Sequence, residues 1–188
     1  MHAIAFQQAG YFTAAQALEA GYSYQAQRYH VDAGNWVRVD RGLFRLPEWP
    51  SDPDDIFVRW TLWSAGRGVV SHDSALAIHG LSDIDPAKVH LTVPPGMRAS
   101  DSLVVLHVAD LREDEREQRR GWAVTTPLRT LADAAATDVS QEQIDRAIDD
   151  ALRRGLLTRR RLLRATADLP PHAALRLERA LAKADPDA

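Results

Sequence analysis

The chain has 188 residues, 45% of them hydrophobic, which is enough for one large or two small domains with a buried core. Without a cysteine it forms neither a disulfide nor a thiolate metal site, and no apolar run approaches the roughly 20 residues of a membrane span. The net charge of -3 excludes a surface that is basic throughout, so any nucleic-acid contact has to be a local patch.

The opening MHAIAFQQAG has no basic n-region and no signal-peptide core, which makes a cytoplasmic protein the expectation. Residues 4–8 read as a first helix, with Phe6 and Phe12 in its core. Thr13 is an N-cap for a short helix over 14–20, which Gly21 ends. Ser23 caps a second helix running to about Ala33, with Gly34 as its stop. Two short helices joined by a glycine turn are the helix-turn-helix pattern. Residues 36–46 then read as two strands around Asp40-Arg41-Gly42, a hairpin signal. Helix, turn, helix, hairpin is the order of a winged helix-turn-helix.

On the second helix, Ala26, Gln27, His30, Val31 and Ala33 share one side at about 100° per residue. Tyr24, Gln25, Arg28 and Asp32 lie on the other, with Tyr29 at the edge. An exposed Gln and Arg early in such a helix suit major-groove readout, Gln toward adenine and Arg toward guanine. Arg38, Arg41 and Arg45 on the hairpin are placed to hold phosphates. The expected DNA-binding set is therefore Ser23, Tyr24, Gln25, Arg28, Arg38, Arg41 and Arg45. Gln27 and His30, polar on the inner side, read either as satisfied core groups or as a sign that the helix is rotated.

PEWPSDP, at 47–53, reads as a linker. The division expected is a DNA-binding domain at 1–50 and an α+β domain at 51–188. Asp52 is expected to cap the next helix, with Pro53 first and an inner stripe of Ile56, Phe57, Trp60 and Trp63. Ser71 caps a helix over 72–79 that stops at Gly80. Val89, Leu91 and Val93 alternate with Lys88, His90 and Thr92, a strand with one wet face. Residues 103–108 read as a strand covered on both faces, 109–120 as an exposed connection, and 122–124 as a third strand.

The remainder reads as helical. Thr126 and Pro127 open a helix with Leu128, Leu131, Ala132 and Ala135 inside. Ser140 with Gln143 makes a capping box before Ile144, Ala147, Ile148, Ala151 and Leu152, and Gly155 ends that helix. Two more helices follow at 158–167 and 172–184, and the closing DPDA reads as frayed. The fold class is α+β: a winged helix-turn-helix, then a small mixed sheet packed with helices, then a helical C-terminus.

GYFTAAQALEAG and WVRVDRGLFRLP, then VVSHDSALAIHGLSDIDPAKVHLTVP, then VTTPLRTLADAA, resemble in this order the AbiEi-type antitoxins of type IV toxin–antitoxin systems. The resemblance spans most of the chain. It implies a DNA-binding N-terminal domain that represses its own operon, with double-stranded operator DNA, expected as inverted repeats, as partner. It also implies a C-terminal domain that counters a nucleotidyltransferase toxin. A stand-alone winged-helix regulator is the alternative within that class.

Two clusters remain. His72, His79 and His90, with Asp73, Asp83 and Asp85, suggest a metal or nuclease site. His72 and His79 stand two turns apart, however, too far to share one metal without a third ligand between them. His79 reads better as a satisfied core histidine, and neither a phosphate loop nor a nucleophile elbow is present. The expectation is therefore no enzyme, no metal and no cofactor. The second cluster is RRGLLTRRRLLR, in which Arg153, Arg154, Arg159, Arg160, Arg161 and Arg164 occur without an intervening acid. It reads as a second basic patch, against the alternative of a solvated helix end.

Overall fold

A computed structural model of the chain describes residues 1–97 and 100–184; the frayed end expected at 185–188 lies outside the described residues. The fold is α+β, and the chain divides into two compact units. One is Met1–Gly68 with Gln118–Ala123; the other is Val69–Glu117 with Val124–Ala188.

In the first unit, α1 (His2–Gln7), β1 (Tyr11–Thr13), α2 (Ala14–Glu19), α3 (Tyr24–Asp32), β2 (Val37–Asp40) and β3 (Leu43–Arg45) form the winged helix. Its antiparallel sheet has the order β1-β3-β2, so β1, which is too short to show a period in the sequence, pairs with the second strand of the wing. Both expected caps are present. Thr13 Oγ1 accepts from Gln16 N at 3.2 Å while Gln16 Oε1 accepts from Thr13 N at 2.9 Å, a full capping box. Ser23 Oγ accepts from Ala26 N at 3.2 Å. Gly42 turns the hairpin at φ +71°, a conformation glycine adopts without steric cost.

The core of this unit is Ala5, Phe12, Ala17, Trp36, Phe44 and Leu46. Phe12 meets Trp36 edge-on at 4.8 Å and Phe44 at 5.7 Å. Phe6 is not in it. Neighbours on a helix point about 100° apart, and α1 turns the small Ala5 inward, leaving Phe6 exposed at its flank against the edge of Trp49. Ala33 is also exposed, because it is the C-cap of α3 and already outside the helix.

The unit continues past the expected joint at 47–53. The helix α4 (Asp55–Trp63) packs on β1, and Asp55 Oδ2 accepts from Arg45 Nη2 at 2.5 Å. This helix starts later than expected: Asp52 Oδ1 accepts from Asp54 N at 2.9 Å, a local turn that holds Pro53 outside the helix. Its buried residues are Asp55, Val58 and Trp60, while Ile56 is exposed. The insert 118–123 completes the unit. Trp122 is buried, with its ring 4.7 Å from Phe57, and Arg120 donates to Phe6 O at 2.6 Å.

The second unit holds a mixed sheet of order β6-β5-β4-β8-β7, formed by β4 (Val69–Val70), β5 (Val89–Val93), β6 (Val104–Val108), β7 (Arg116–Gln118) and β8 (Ala123–Thr125). β4 runs antiparallel to β5 and parallel to β8, and β5 runs parallel to β6. The sequence pattern predicts only three strands here. β4 has only two residues, and β7 lies within the charged stretch 109–120, so neither shows a period. β6 is an edge strand with Val108 exposed, not one covered on both faces. The wet face expected for β5 is closed at Thr92, which is buried and donates to Ser71 Oγ at 2.8 Å.

Around the sheet run α5 (His72–His79), α6 (Pro127–Ala136), α7 (Gln141–Arg153), α8 (Arg159–Thr166) and α9 (Pro171–Lys183). Leu76, Leu131, Ile144, Ile148, Leu162 and Leu177 are fully buried among them. Each such side chain contributes about 1.5–3 kcal/mol on burial. Ser140 caps α7 as expected, but Gln143 Oε1 accepts from Ser82 Oγ at 3.3 Å, so the reciprocal half of the expected box is not formed.

Candidate nucleic-acid interface

The inner side of α3 is fixed by polar groups. Gln27 is buried, and its Nε2 donates to Ala14 O at 3.2 Å and Tyr22 O at 3.0 Å, tying α3 to α2 and to the turn between them. The His30 ring stacks on Trp36 at 4.7 Å. Both are satisfied core groups, so the helix is not rotated. The outer face then carries Tyr24, Gln25, Arg28 and Tyr29, all exposed. Arg28 faces Asp32 at 3.6 Å, with both side chains in solvent. A pair of that kind contributes about 0.3–0.5 kcal/mol and exchanges readily for a stronger partner. Ser23 stands at the start of the face with its hydroxyl engaged as the cap.

On the wing, Arg38 is exposed, with its guanidinium 5.8 Å from the Phe44 ring centroid. Arg41 is exposed at the tip, where its own N–H donates to Asp40 Oδ1 at 2.6 Å. Arg45 is a correction to the expected set. It points inward, over the Tyr11 ring, and donates to Asp55 Oδ2 and to Pro50 O. Successive strand residues point to opposite faces, and the side Arg45 takes is the one covered by α4. Among the described residues, the wing arginines without an ion pair are Arg38 and Arg41.

The arginine run is divided among tasks. Arg153 pairs with Asp149 at 3.0 Å and Asp150 at 2.8 Å. Arg154 donates to His79 O and Gly80 O, capping the C-terminus of α5, and Arg159 does the same for α9 through Leu181 O and Ala184 O. Arg160, Arg161 and Arg164 are exposed.

His79 is buried with Nε2 2.7 Å from Thr125 O, so it is a core histidine apart from the other two. His72 and His90 meet a residue that no sequence pattern singles out, His107. His72 stacks on His107 at 3.4 Å, and His107 Nε2 lies 3.2 Å from His90 Nδ1. The parallel register of β5 and β6 brings His107 there, and sequence alone carries no such register. Together with Asp73 and Asp138 these rings line a cavity of about 460 Å³. Burial, with neighbouring imidazoles, pushes His72 down to about 3 and His107 down to about 4. Burial lowers His90 as well, against the opposing charge of Asp73. Among the described residues no group of three or more His, Asp or Glu is placed to hold a metal ion. Also unforeseen is the trio Arg129, Asp133 and Glu115: Arg129 donates to Asp133 at 2.8 Å and to Glu115 at 3.1 Å. Burial raises Asp133 to about 6 despite the adjacent guanidinium.

Residues 3–47 match the family model described as transcriptional regulator, AbiEi antitoxin, the family that the sequence resembles. No curated protein matches the chain. Among solved structures, the crystal structure of the RV2827C protein from Mycobacterium tuberculosis is similar, with a TM-score of 0.60 and 17% identity, covering 99% of this chain and 80% of that one. At that identity the likeness concerns the fold. No helix among the described residues is long and apolar enough to cross a membrane.

Proposed function

We propose, from the premise that residues 3–47 are an AbiEi-antitoxin-type regulator segment, that this protein is a DNA-binding antitoxin that represses its own operon and counters a nucleotidyltransferase toxin. One observation carries the DNA-binding half: Tyr24, Gln25 and Arg28 are all exposed on one face of α3, and the wing that follows it in the chain carries the exposed Arg38 and Arg41. Gln25 and Arg28 read base edges in the major groove of an inverted-repeat operator, and Arg38 and Arg41 hold phosphates. The first unit supplies sequence preference and the second supplies neutralisation, in the cytoplasm and without catalysis. The nuclease-like alternative is the weaker reading, since His79, one of its three histidines, is committed to Thr125 O.

The test is binding of the full chain to the DNA upstream of its own gene. Arg28→Ala is expected to weaken specific binding by about 1–3 kcal/mol and relax preference at one base pair. Arg41→Ala is expected to weaken all sequences alike and lower the salt slope by about one unit. If Arg28→Ala leaves affinity and preference intact, α3 is not the reading helix. For the antitoxin half, co-expression with the neighbouring open reading frame is expected to relieve its toxicity. A neighbour that is harmless alone overturns that half and leaves a stand-alone regulator.

A further inference from the structure

Three arginines of the run at residues 153–164 have no structural task. Arg153, Arg154 and Arg159 are occupied by carboxylates or by helix C-terminal carbonyls. Arg160, Arg161 and Arg164 make no ion pair and no side-chain hydrogen bond among the described residues, although all three are exposed. On α8 they fall within about 100° of arc. The opposite side, Leu162 and Thr166, is buried. The outer face of this helix is therefore three guanidinium groups beside the exposed Leu163.

Helix electrostatics do not account for this placement. Arg160 and Arg161 stand in the first turn, near the positive end of the helix dipole, where an acid is favoured and none is present. Arg160 and Arg164 are like charges four apart, which repel across one turn. Several other exposed arginines of the same unit meet acids: Arg146 meets Asp83 and Glu142, Arg116 meets Glu113, and Arg112 meets Asp114, while among the described residues the exposed Arg179 stands alone rather than in a cluster. Asp114, Glu115, Asp133 and Asp168 line the same hollow as Arg161, but none makes an ion pair with it. A concentration of unpaired positive charge, held against local preference on a net acidic chain, is complementary to a polyanion.

We propose that the outer face of α8, Arg160, Arg161 and Arg164, is a second binding surface for the sugar–phosphate backbone of duplex DNA. The choice of DNA rests on the DNA-binding reading of the first unit. The three planar forks each take one phosphate, and the contact is blind to sequence because the backbone carries no base information. The surface raises affinity for operator and non-operator DNA alike, and α3 alone supplies discrimination.

The experiment uses the full chain and an Arg160→Gln, Arg161→Gln, Arg164→Gln variant, with glutamine keeping the helix propensity. Affinity for a random-sequence DNA duplex is measured across a salt series, in parallel with Arg28→Ala, Arg41→Ala and Arg153→Gln. The triple variant is expected to bind more weakly, with a salt slope shallower by up to about 0.9 for each phosphate it no longer neutralises. Arg153→Gln removes one charge, as each single variant of the triple does, but from an arginine already paired with Asp149 and Asp150, and is expected to leave the slope unchanged. An unchanged slope in the triple variant overturns the proposal while the wing variants still test the first unit. A shallower slope in the triple variant with no effect of Arg41→Ala upholds this surface and overturns the phosphate role of the wing; discrimination by α3 is read separately, from Arg28→Ala on the DNA upstream of the gene. Weakening confined to an RNA duplex of the same length overturns the choice of DNA. If the triple variant does not fold, the single Arg160→Gln and Arg164→Gln variants carry the test, each releasing one phosphate.

Discussion

Acidification should destabilise the second unit, and its size follows from two depressed histidines and one buried acid. His72 and His107 titrate at about 3 and about 4 in the fold, because burial and neighbouring imidazoles disfavour their charged forms. The unfolded chain protonates them at the ordinary histidine value near 6.5. A depressed folded value contributes stability that is present above the unfolded value and is lost as pH falls below it. Between about pH 7.5 and about pH 5 a fully effective ring forfeits about 1.5 units, or about 2 kcal/mol, and the buried His72 forfeits that much. His107 is only half-buried, and solvent screening cuts its share to about 1 kcal/mol, so the two together forfeit about 3 kcal/mol. Asp133 works in the opposite direction. Its folded value is raised to about 6, so taking up a proton below that favours the fold. Over the same window it returns about 1 kcal/mol, leaving a net loss of about 2 kcal/mol. The assay can be made specific to the unit, because every Trp, Tyr and Phe of the chain lies in the first unit. Urea unfolding followed by far-UV circular dichroism reports the helices of both units, while tryptophan fluorescence reports the first alone, so a loss of dichroism without a change in fluorescence belongs to the second unit. The midpoint by dichroism is expected to fall at about pH 5, and to fall further in Asp133→Asn. A midpoint by dichroism that is unchanged or higher at about pH 5 refutes the reasoning.

Two further outcomes concern the first unit. Arg45→Ala leaves Asp55 buried without its cation and is expected to lower stability by about 3 kcal/mol, while Arg45→Met, which keeps bulk but not charge, is expected to be no better; equilibrium unfolding by fluorescence checks both. Gln27→Ala strips a donor from Ala14 O and Tyr22 O and is expected to cost about 1–3 kcal/mol, with weaker DNA binding at temperatures where the variant is still folded.

Local signals in the sequence carry the helices and their ends. Thr13, Ser23, Thr126, Ser140 and Thr158 are all N-caps, and Gly21, Gly34, Gly80 and Gly155 stand at positive φ just past helices. The exposure of Gln25 and Arg28 follows from helical period alone. Long-range pairing is out of reach. The inward turn of Arg45 depends on Asp55, ten residues on, and the charge on a hairpin strand says nothing of which face α4 will cover. The histidine cluster needs the register of β5 against β6. The basic run reads as one patch because sequence shows the charges and not the carbonyls; Arg154 and Arg159 are held by helix ends 74 and 25 residues away.

The insert at 118–123 gives the last prediction. Gly121 has φ +83°, and a Cβ there would stand 2.9 Å from Gln7 O and 3.3 Å from Gln8 Cα. An L-residue in that conformation costs about 1–3 kcal/mol before any clash. Gly121→Ala is therefore expected to push the insert off α1 and to loosen Trp122, which is buried against Phe57. The same logic bears on a fragment of residues 1–50, where an independent reader domain would be expected to end. It lacks α4, so Arg45 has no Asp55, and it lacks the insert. A fragment of residues 1–68 restores α4 but still loses Trp122, a burial comparable with a tryptophan truncation of about 3–5 kcal/mol. For a unit this small that is a large share of its stability. Unfolding of both fragments and of full-length Gly121→Ala, followed by tryptophan fluorescence, decides the matter. If the 1–50 fragment unfolds cooperatively at the midpoint of the intact chain, the insert and α4 are ornaments of the fold. If it does not, a substitution more than seventy residues from α3 in sequence is expected to weaken DNA binding without touching DNA, by unfolding the unit that carries the proposed reading helix.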